Sequence, residues 1–429
     1  VLSRPARSLA CTLPAAALLL AAAVSPAGAA PGGPNRTFTE VATFAVSGEV
    51  AEILAVTPNG RTLLYTDSAT GEVGLVDLTH PERPTALGTV PVGGEPTSVA
   101  VTRDGRFALA VVDTSVSFTE PSGELAVIDL RSRAVVRTLA LGGQPDSIAI
   151  SPDGSVAAVA IENQRDEDID VGGTEGGLPQ APAGFLAVVD LPGAPARWTV
   201  DRVELTGLEG ALYPEDPEPE YVDIDRRGIA AVTLQENNAV ALVDLASRRV
   251  VDSFSAGTVT RDDADTSDDG VVRFEDDLVA PREPDAVQWS RDGNLVTADE
   301  GDLAEEPSGG RGWTVLSPEG QVVFTSGGSA EQALAAVGRY PDDRSDDKGA
   351  EFEGAEVASL RGTDYAFIGS ERGDSVLVYD VRDESRPELL QVLPTGEAPE
   401  GLLAVQRKHL FLTSNEDDGT ISIFQLGGR

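Results

Sequence analysis

Carboxylates recur in this chain at two points of a repeating pattern. The first series is Asp67, Asp113, Glu162, Glu236, Glu300, Glu371 and Glu416, each at a turn that follows a short apolar run. The second is Glu52, Asp146, Glu220, Asp285, Glu353 and Glu400, each just ahead of another apolar run. Thr97, flanked by Glu95, interrupts this second series. If the repeats are arranged around an axis, both series converge on one opening. Crowded carboxylates repel one another unless cations or arginines intervene. Hard oxygen donors of this kind suit Ca²⁺ first, or another divalent metal such as Mg²⁺. The competing explanation is turn chemistry, because acids at strand ends accept backbone N–H groups.

A second candidate is the stretch Asp265-Thr266-Ser267-Asp268-Asp269-Gly270, followed by Asp276. It fits the calcium-loop spacing, with side-chain oxygens from Asp265, Ser267, Asp269 and Asp276 and a carbonyl from Val271. Gly270 would make the sharp turn. The flanks do not read as helices, so this is no ordinary helix–loop–helix site, and an Asp-rich chain matches such patterns by chance. Residues 342–349 (DDRSDDKG) are a weaker relative.

Other chemistry has little footing. His80 and His409 are the two histidines and lack ligand spacing, which argues against a zinc site or a Ser–His–Asp triad. No nucleophile elbow, P-loop or dinucleotide fingerprint occurs. Trp198, Trp289 and Trp313 read as packing residues.

The elements that must position these acids are short strands. Residues 218–245 hold three of them, YVDID, IAAVTL and AVALVDL, separated by RRG and QENN turns. Three antiparallel strands cannot bury both faces alone, so copies are needed. The third strand recurs as LVDL (75–78), VIDL (127–130), VVDL (188–191) and LVDL (242–245), then more loosely at 314–317, 377–380 and 422–426. The first strand recurs seven times, six of them ending in a turn-forming glycine after Asn, Asp or Arg. A fourth strand follows six of the seven third strands. The missing one is FTEVATFAV at 38–46, ahead of the first repeat. The expectation is an all-β, seven-bladed β-propeller of four-stranded antiparallel blades, closed by an N-terminal strand that completes the last blade. Acidic, glycine-rich insertions are expected at 163–184, 206–218, 257–283, 301–312 and 338–354, with a short helix at 329–337. One insertion is read between a second and a third strand, the others ahead of the next blade.

Composition agrees. The chain of 429 residues has 41% hydrophobic residues, 45 Gly and 28 Pro, which suits many tight turns and few long helices. A net charge of −39 disfavours nucleic acid and anionic membrane as partners. Residues 1–29 read as a signal peptide: Arg4 and Arg7, an apolar run at 13–24 too short to span a bilayer, and Ala27-Gly28-Ala29 as cleavage site. Cleavage near Ala29 would remove Cys11, the one cysteine, leaving no thiol or disulfide chemistry. Residues 30–37 read as a linker and 38–429 as one propeller domain.

Several stretches add a resemblance. EPEYV (218–222), TLQENNAVALVDL (233–245), PDAVQWSRDGNLVTADEGD (284–302), RSDDKGAEFEG (344–354) and FIGSERGDSVLVYDV (367–381) resemble the choice-of-anchor I family of bacterial propellers, and the likeness covers nearly all of 38–426. The resemblance implies an exported propeller found with varied surface anchors. This chain ends at Arg429 with no anchor segment, which counts against wall attachment. Some relatives are described as atypical alkaline phosphatases or phytase-like esterases. The family's acids correspond here to Glu220, Glu236, Asp285, Glu300, Glu353, Glu371, Glu400 and Glu416.

Together these readings favour a secreted, monomeric binding or scaffold protein with Ca²⁺ at an acidic channel mouth. Its partner would be a small cationic or metal-bridged ligand, or an extracellular protein; no nucleic acid and no membrane span are expected. The alternative is a metal-dependent phosphoesterase, in which clustered carboxylates hold the metals and Arg282 or Arg372 neutralises phosphate.

Overall fold

The computed structural model describes residues 36–166, 168–301 and 308–427. The expected signal peptide at 1–29 and most of the linker lie outside these residues. Seven four-stranded antiparallel sheets follow one another, spanning 54–91, 95–140, 145–204, 222–255, 284–325 and 355–394, with the seventh built from 399–426 and the N-terminal strand. They are blades 1 to 7. First strands of neighbouring blades contact one another around the axis, and fourth strands form the outer edges.

Each blade is apolar on both faces of its middle strands. In the second strand of blade 2, Leu109 and Val111 face blade 3, while Ala108, Ala110 and Val112 face blade 1. This two-residue alternation is what a pleated strand imposes. It produces seven apolar layers, one between each pair of neighbouring blades, including one that joins blade 7 to blade 1. The outer strands alternate exposed with covered positions, as in Ala134–Ala140, where Ala134, Val136, Thr138 and Ala140 are exposed and Leu139 is buried.

The ring closes as the sequence indicates. Phe38–Ala45 pairs with Thr420–Leu426, with Phe38 opposite Leu426 and Ala45 opposite Thr420. Phe38 inserts its ring edge-on against Tyr365, Phe367 and Phe411, with centroids 5.3–6.3 Å away. Its backbone exchanges hydrogen bonds of 2.9 and 3.0 Å with the Gln391 amide of blade 6. The closing strand therefore holds two blades.

At the turns between first and second strands, Gly105 takes φ = 68°, a conformation costly for any residue with a Cβ. Asp104 accepts from Thr102 Oγ1 and the Arg106 N–H beside it. The same arrangement recurs at Asn59 and Asp153.

Two insertions, not one, fall between second and third strands: 163–184 in blade 3, and 301–312 in blade 5. The insertion at 257–283 is a β-hairpin, Thr258–Ala264 with Asp276–Pro281, rather than an irregular acidic loop. Helix α1, Ser329–Ala336, forms where expected and pins that hairpin. Glu331, fully buried on α1, pairs with the Arg261 guanidinium of the hairpin. Trp198 and Trp313 are buried against Phe107 and against Phe324 and Tyr379, as packing residues should be.

Candidate functional site

Asp146, Asp285 and Glu400 of the second series gain their position from β-bulges at the start of the first strands. In blade 3, Pro145 pairs with Ile161 and Ile148 with Val159, so Asp146 and Ser147 together oppose one residue. The same slip follows Pro284 in blade 5 and Pro399 in blade 7, leaving Asp285 and Glu400 in the irregular stretch. Blade 2 slips at Pro96, with Thr97 in the equivalent place. A bulge re-aims the extra side chain, and proline, having no N–H to donate, is tolerated there. The re-aimed residues meet in the channel. A cavity of about 80 Å³ at its throat is lined by Asp146, Asp285, Glu353 and Glu400, with Thr97, Ser147 and Tyr221 between them.

Above the throat the channel widens on the side of blades 3 and 4. A cup of about 770 Å³ opens there, with Glu162, Glu220, Glu236 and Glu300 in its lining. Its wall includes Phe118 from blade 2, and Gln164, Leu178 and Gln180 from the blade 3 insertion. Glu220 is 8% exposed, and its Oε2 has no hydrogen-bond partner among the described residues. Arg165 at the edge is committed to its own acids, with Nη1 2.6 Å from Glu218 and Nε 3.4 Å from Asp216.

The other half of the mouth, on blades 5 and 6, is neutralised from within. Lys348 Nζ lies 2.5 Å from Glu300, which also accepts from Gln235 at 2.8 Å. Glu351, 1% exposed, is held by Arg344 at 2.5 Å and Arg372 at 2.9 Å. Arg372 also reaches Glu371 at 2.8 Å. Among the described residues, Glu300, Glu351 and Glu353 can each place a carboxylate oxygen within 4.8 Å of the others.

Burial raises the carboxyls of the mouth, and neighbouring acids raise them further. Asp146 is pushed up to about 7, first by burial and then by Glu236. Glu52 also reaches about 7, against a lowering hydrogen bond from Ser68. Glu162, Glu220, Asp285, Glu353 and Glu400 are all raised well above the ordinary carboxylate range, with burial the leading cause in each. Glu300, Glu371 and Glu416 are raised as well, chiefly by burial.

The first series does not act as one ring. Asp67 accepts from the N–H groups of Glu49 and Thr70, and Asp113 from that of Ser115, so these two serve turns. Glu416 interacts with the Glu52 and Glu400 side of the throat. The Asp265–Asp276 stretch is the tip of the hairpin. Asp265 accepts from the N–H of Arg273 at 2.6 Å, and Asp276 from Thr266 Oγ1 at 2.8 Å. Asp269 accepts from the N–H of Val271 and pairs with the Arg273 guanidinium, while Ser267 donates its N–H to Asp265. Arg282 is buried and donates to Ala256 O at 2.8 Å and Thr314 Oγ1 at 3.2 Å. Sequence reasoning passed over Lys348, Glu351 and Arg165. The proline ahead of Thr97, Asp146, Glu220, Asp285 and Glu400 was the legible signal that these positions leave the ladder.

Comparison with solved structures places the ring among known propellers. The chain is similar to the Kuenenia stuttgartiensis hydrazine synthase, at 18% identity and a TM-score of 0.56, covering 89% of this chain and 97% of that one. It is also similar to the β-propeller domain of Myceliophteria thermophila Cps50 (Swd1), at 10% identity and a TM-score of 0.57, covering 91% and 99%. At these identities the likeness concerns fold alone. No curated protein matches the sequence. The choice-of-anchor I domain, however, matches residues 52–308 and 305–384, which is most of the propeller. With seven blades observed and that match running through six of them, the chain belongs to the choice-of-anchor I family.

Proposed function

We propose that this protein is an exported binding propeller whose channel throat holds a divalent cation, Ca²⁺ by preference. The observation that carries the reading is the throat itself. Four carboxylates from four different blades line about 80 Å³, and Glu400 Oε2 has no partner among the described residues. Calcium takes six to eight oxygen ligands and tolerates irregular geometry, which suits donors supplied by separate blades. Asp146, Asp285, Glu353 and Glu400 would hold the ion. Thr97 Oγ1 and Ser147 Oγ donate to Pro145 O and Glu220 O and keep lone pairs for it. Bound there, the cation would supply the positive charge that the throat lacks and tie the blades together at the axis. Family membership and the signal-like residues 1–29 support export, and no helix among the described residues is long and apolar enough to cross a membrane.

A phosphoesterase reading gains nothing from the arginines proposed for it. Arg282 points its donors into the protein, and Arg372 is engaged with Glu351 and Glu371. Calorimetric titration of the purified propeller with CaCl₂ and MgCl₂ after EDTA treatment tests the proposal. Saturable Ca²⁺ binding is expected, lost in Asp146→Asn and Glu400→Gln. Absence of binding heat and of any calcium-dependent rise in Tm at millimolar Ca²⁺ would refute it.

A further inference from the structure

The cup above the throat is too large for a metal and is built differently. Its volume of about 770 Å³ falls within the roughly 300–1,000 Å³ typical of sites for organic ligands, whereas the throat is far below it. Glu162, Glu220 and Glu236 contribute acid to its lining, and Phe118 and Leu178 contribute apolar surface. Glu220 is the informative member: nine-tenths buried, lining the cup, with one carboxylate oxygen unpartnered among the described residues. The basic residues of the mouth are already engaged by Glu218, Glu300, Glu351 and Glu371. An acidic lining with apolar walls complements a side chain that has an apolar stem and a cationic head. Phe118, 46% exposed, offers its ring to such a cation.

The surroundings indicate that the cation is carried by a polypeptide. Val116 and Phe118 on the loop of blade 2, and Leu212 and Tyr213 ahead of blade 4, are exposed apolar side chains. The Tyr213 ring lies 5.9 Å from the Arg165 guanidinium at the edge of the cup, so the two loops flank the opening. Apolar residues at a rim give a bound chain surface to lie on, which a small free amine would not use. Charge is complementary as well, in a protein of net charge −39.

We infer that the cup binds a basic polypeptide segment, taking one of its Lys or Arg side chains between Phe118 and Glu220. This rests on the mouth being a binding site, but not on a cation in the throat. Fluorescence polarisation with a labelled, alternating Lys-Ala octapeptide at about 150 mM salt is the test, with the matching Glu-Ala octapeptide as control. The Lys-Ala peptide alone should bind, and Glu220→Gln and Phe118→Ser should each weaken it by about tenfold or more. Asp383→Asn, an exposed change at the far end of blade 6, should leave binding unaltered and so separate the cup from diffuse attraction. Equal losses in all three variants, or displacement by spermine at the same amine concentration as by unlabelled peptide, would overturn the inference. Peptide binding that persists in Asp146→Asn after calcium binding is lost supports it and keeps the two sites distinct. Calcium binding without peptide binding overturns the cup and leaves the throat standing.

Discussion

At the residue scale, chemistry turns on which carboxylates have partners. Glu400 is the clearest case, because burial and the nearby Glu52, Glu416, Asp146 and Asp285 all oppose its charge. Replacing it by the neutral isostere removes that opposition and removes a ligand. Glu400→Gln should therefore raise the Tm of the metal-free protein by about 2 °C near neutral pH and abolish the calcium-dependent rise, both read by differential scanning fluorimetry. Lys348 illustrates the converse. Its ammonium is 2.5 Å from Glu300, a residue 6% exposed, so Lys348→Met leaves a buried carboxylate held by the Gln235 amide at 2.8 Å and should cost about 1–3 kcal/mol in urea unfolding. The acids were legible in the sequence because they recur at fixed points of the repeat. Their partners were not, because Lys348, Arg344 and Glu351 sit in an insertion that has no counterpart in other blades. Asp67 and Asp113 look the same in sequence as Glu162 and Glu236 but are one methylene shorter and accept from N–H groups of their own turns, those of Thr70 and Ser115.

At the element scale, the four-strand blade was legible almost throughout, since each middle strand is apolar on both faces and six of the seven turns between first and second strands carry Asn, Asp or Gly, the exception being 406–409 in blade 7. The hairpin Thr258–Ala264 with Asp276–Pro281 was not. It lies outside the ring and buries one face, so TVTRDDA and DDLVAP hold too few apolar residues to announce strands. Val259, Ala264, Leu278 and Ala280 are its covered apolar positions, while Val279 is exposed. The hairpin is held to the ring by the buried pair of Arg261 with Glu331 of α1, beside a hydrogen bond of 2.8 Å from Arg311 Nη1 to Asp265 O and the Phe274 ring 5.1 Å from that of Tyr340. Removing one partner strands the other charge away from water. Glu331→Ala should cost about 3–5 kcal/mol locally, seen as faster amide exchange across 258–281 with the exchange of blades 1 to 3 unchanged. If exchange accelerates uniformly around the ring, the hairpin is part of the same cooperative unit and the ionic pin is not its separate attachment.

At the scale of the whole molecule, closure brings acids from distant parts of the chain together, and folding must bear the cost. Several are raised by burial: Asp299 to about 6, Glu52 to about 7 and Glu356 to about 8. In the unfolded chain such groups release their protons near pH 4. Between about pH 4 and those raised values the folded protein therefore binds more protons than the unfolded one, and stability must fall as pH rises. The sign is opposite to that of a protein whose carboxylates are held by cations and resist acid. Self-repulsion in a chain of net charge −39 works in the same direction. Bound calcium would replace the protons as the counter-charge at the throat, so the cation and the proton compete for the same state of the ring. The expected outcome is a Tm that declines from pH 5 to pH 8 in EDTA and is held nearly level by millimolar CaCl₂, with protons released on calcium addition at pH 6. A Tm in EDTA that climbs across that interval would mean that the buried acids are ionised and balanced within the fold, and the need for a cation at the axis would disappear with them.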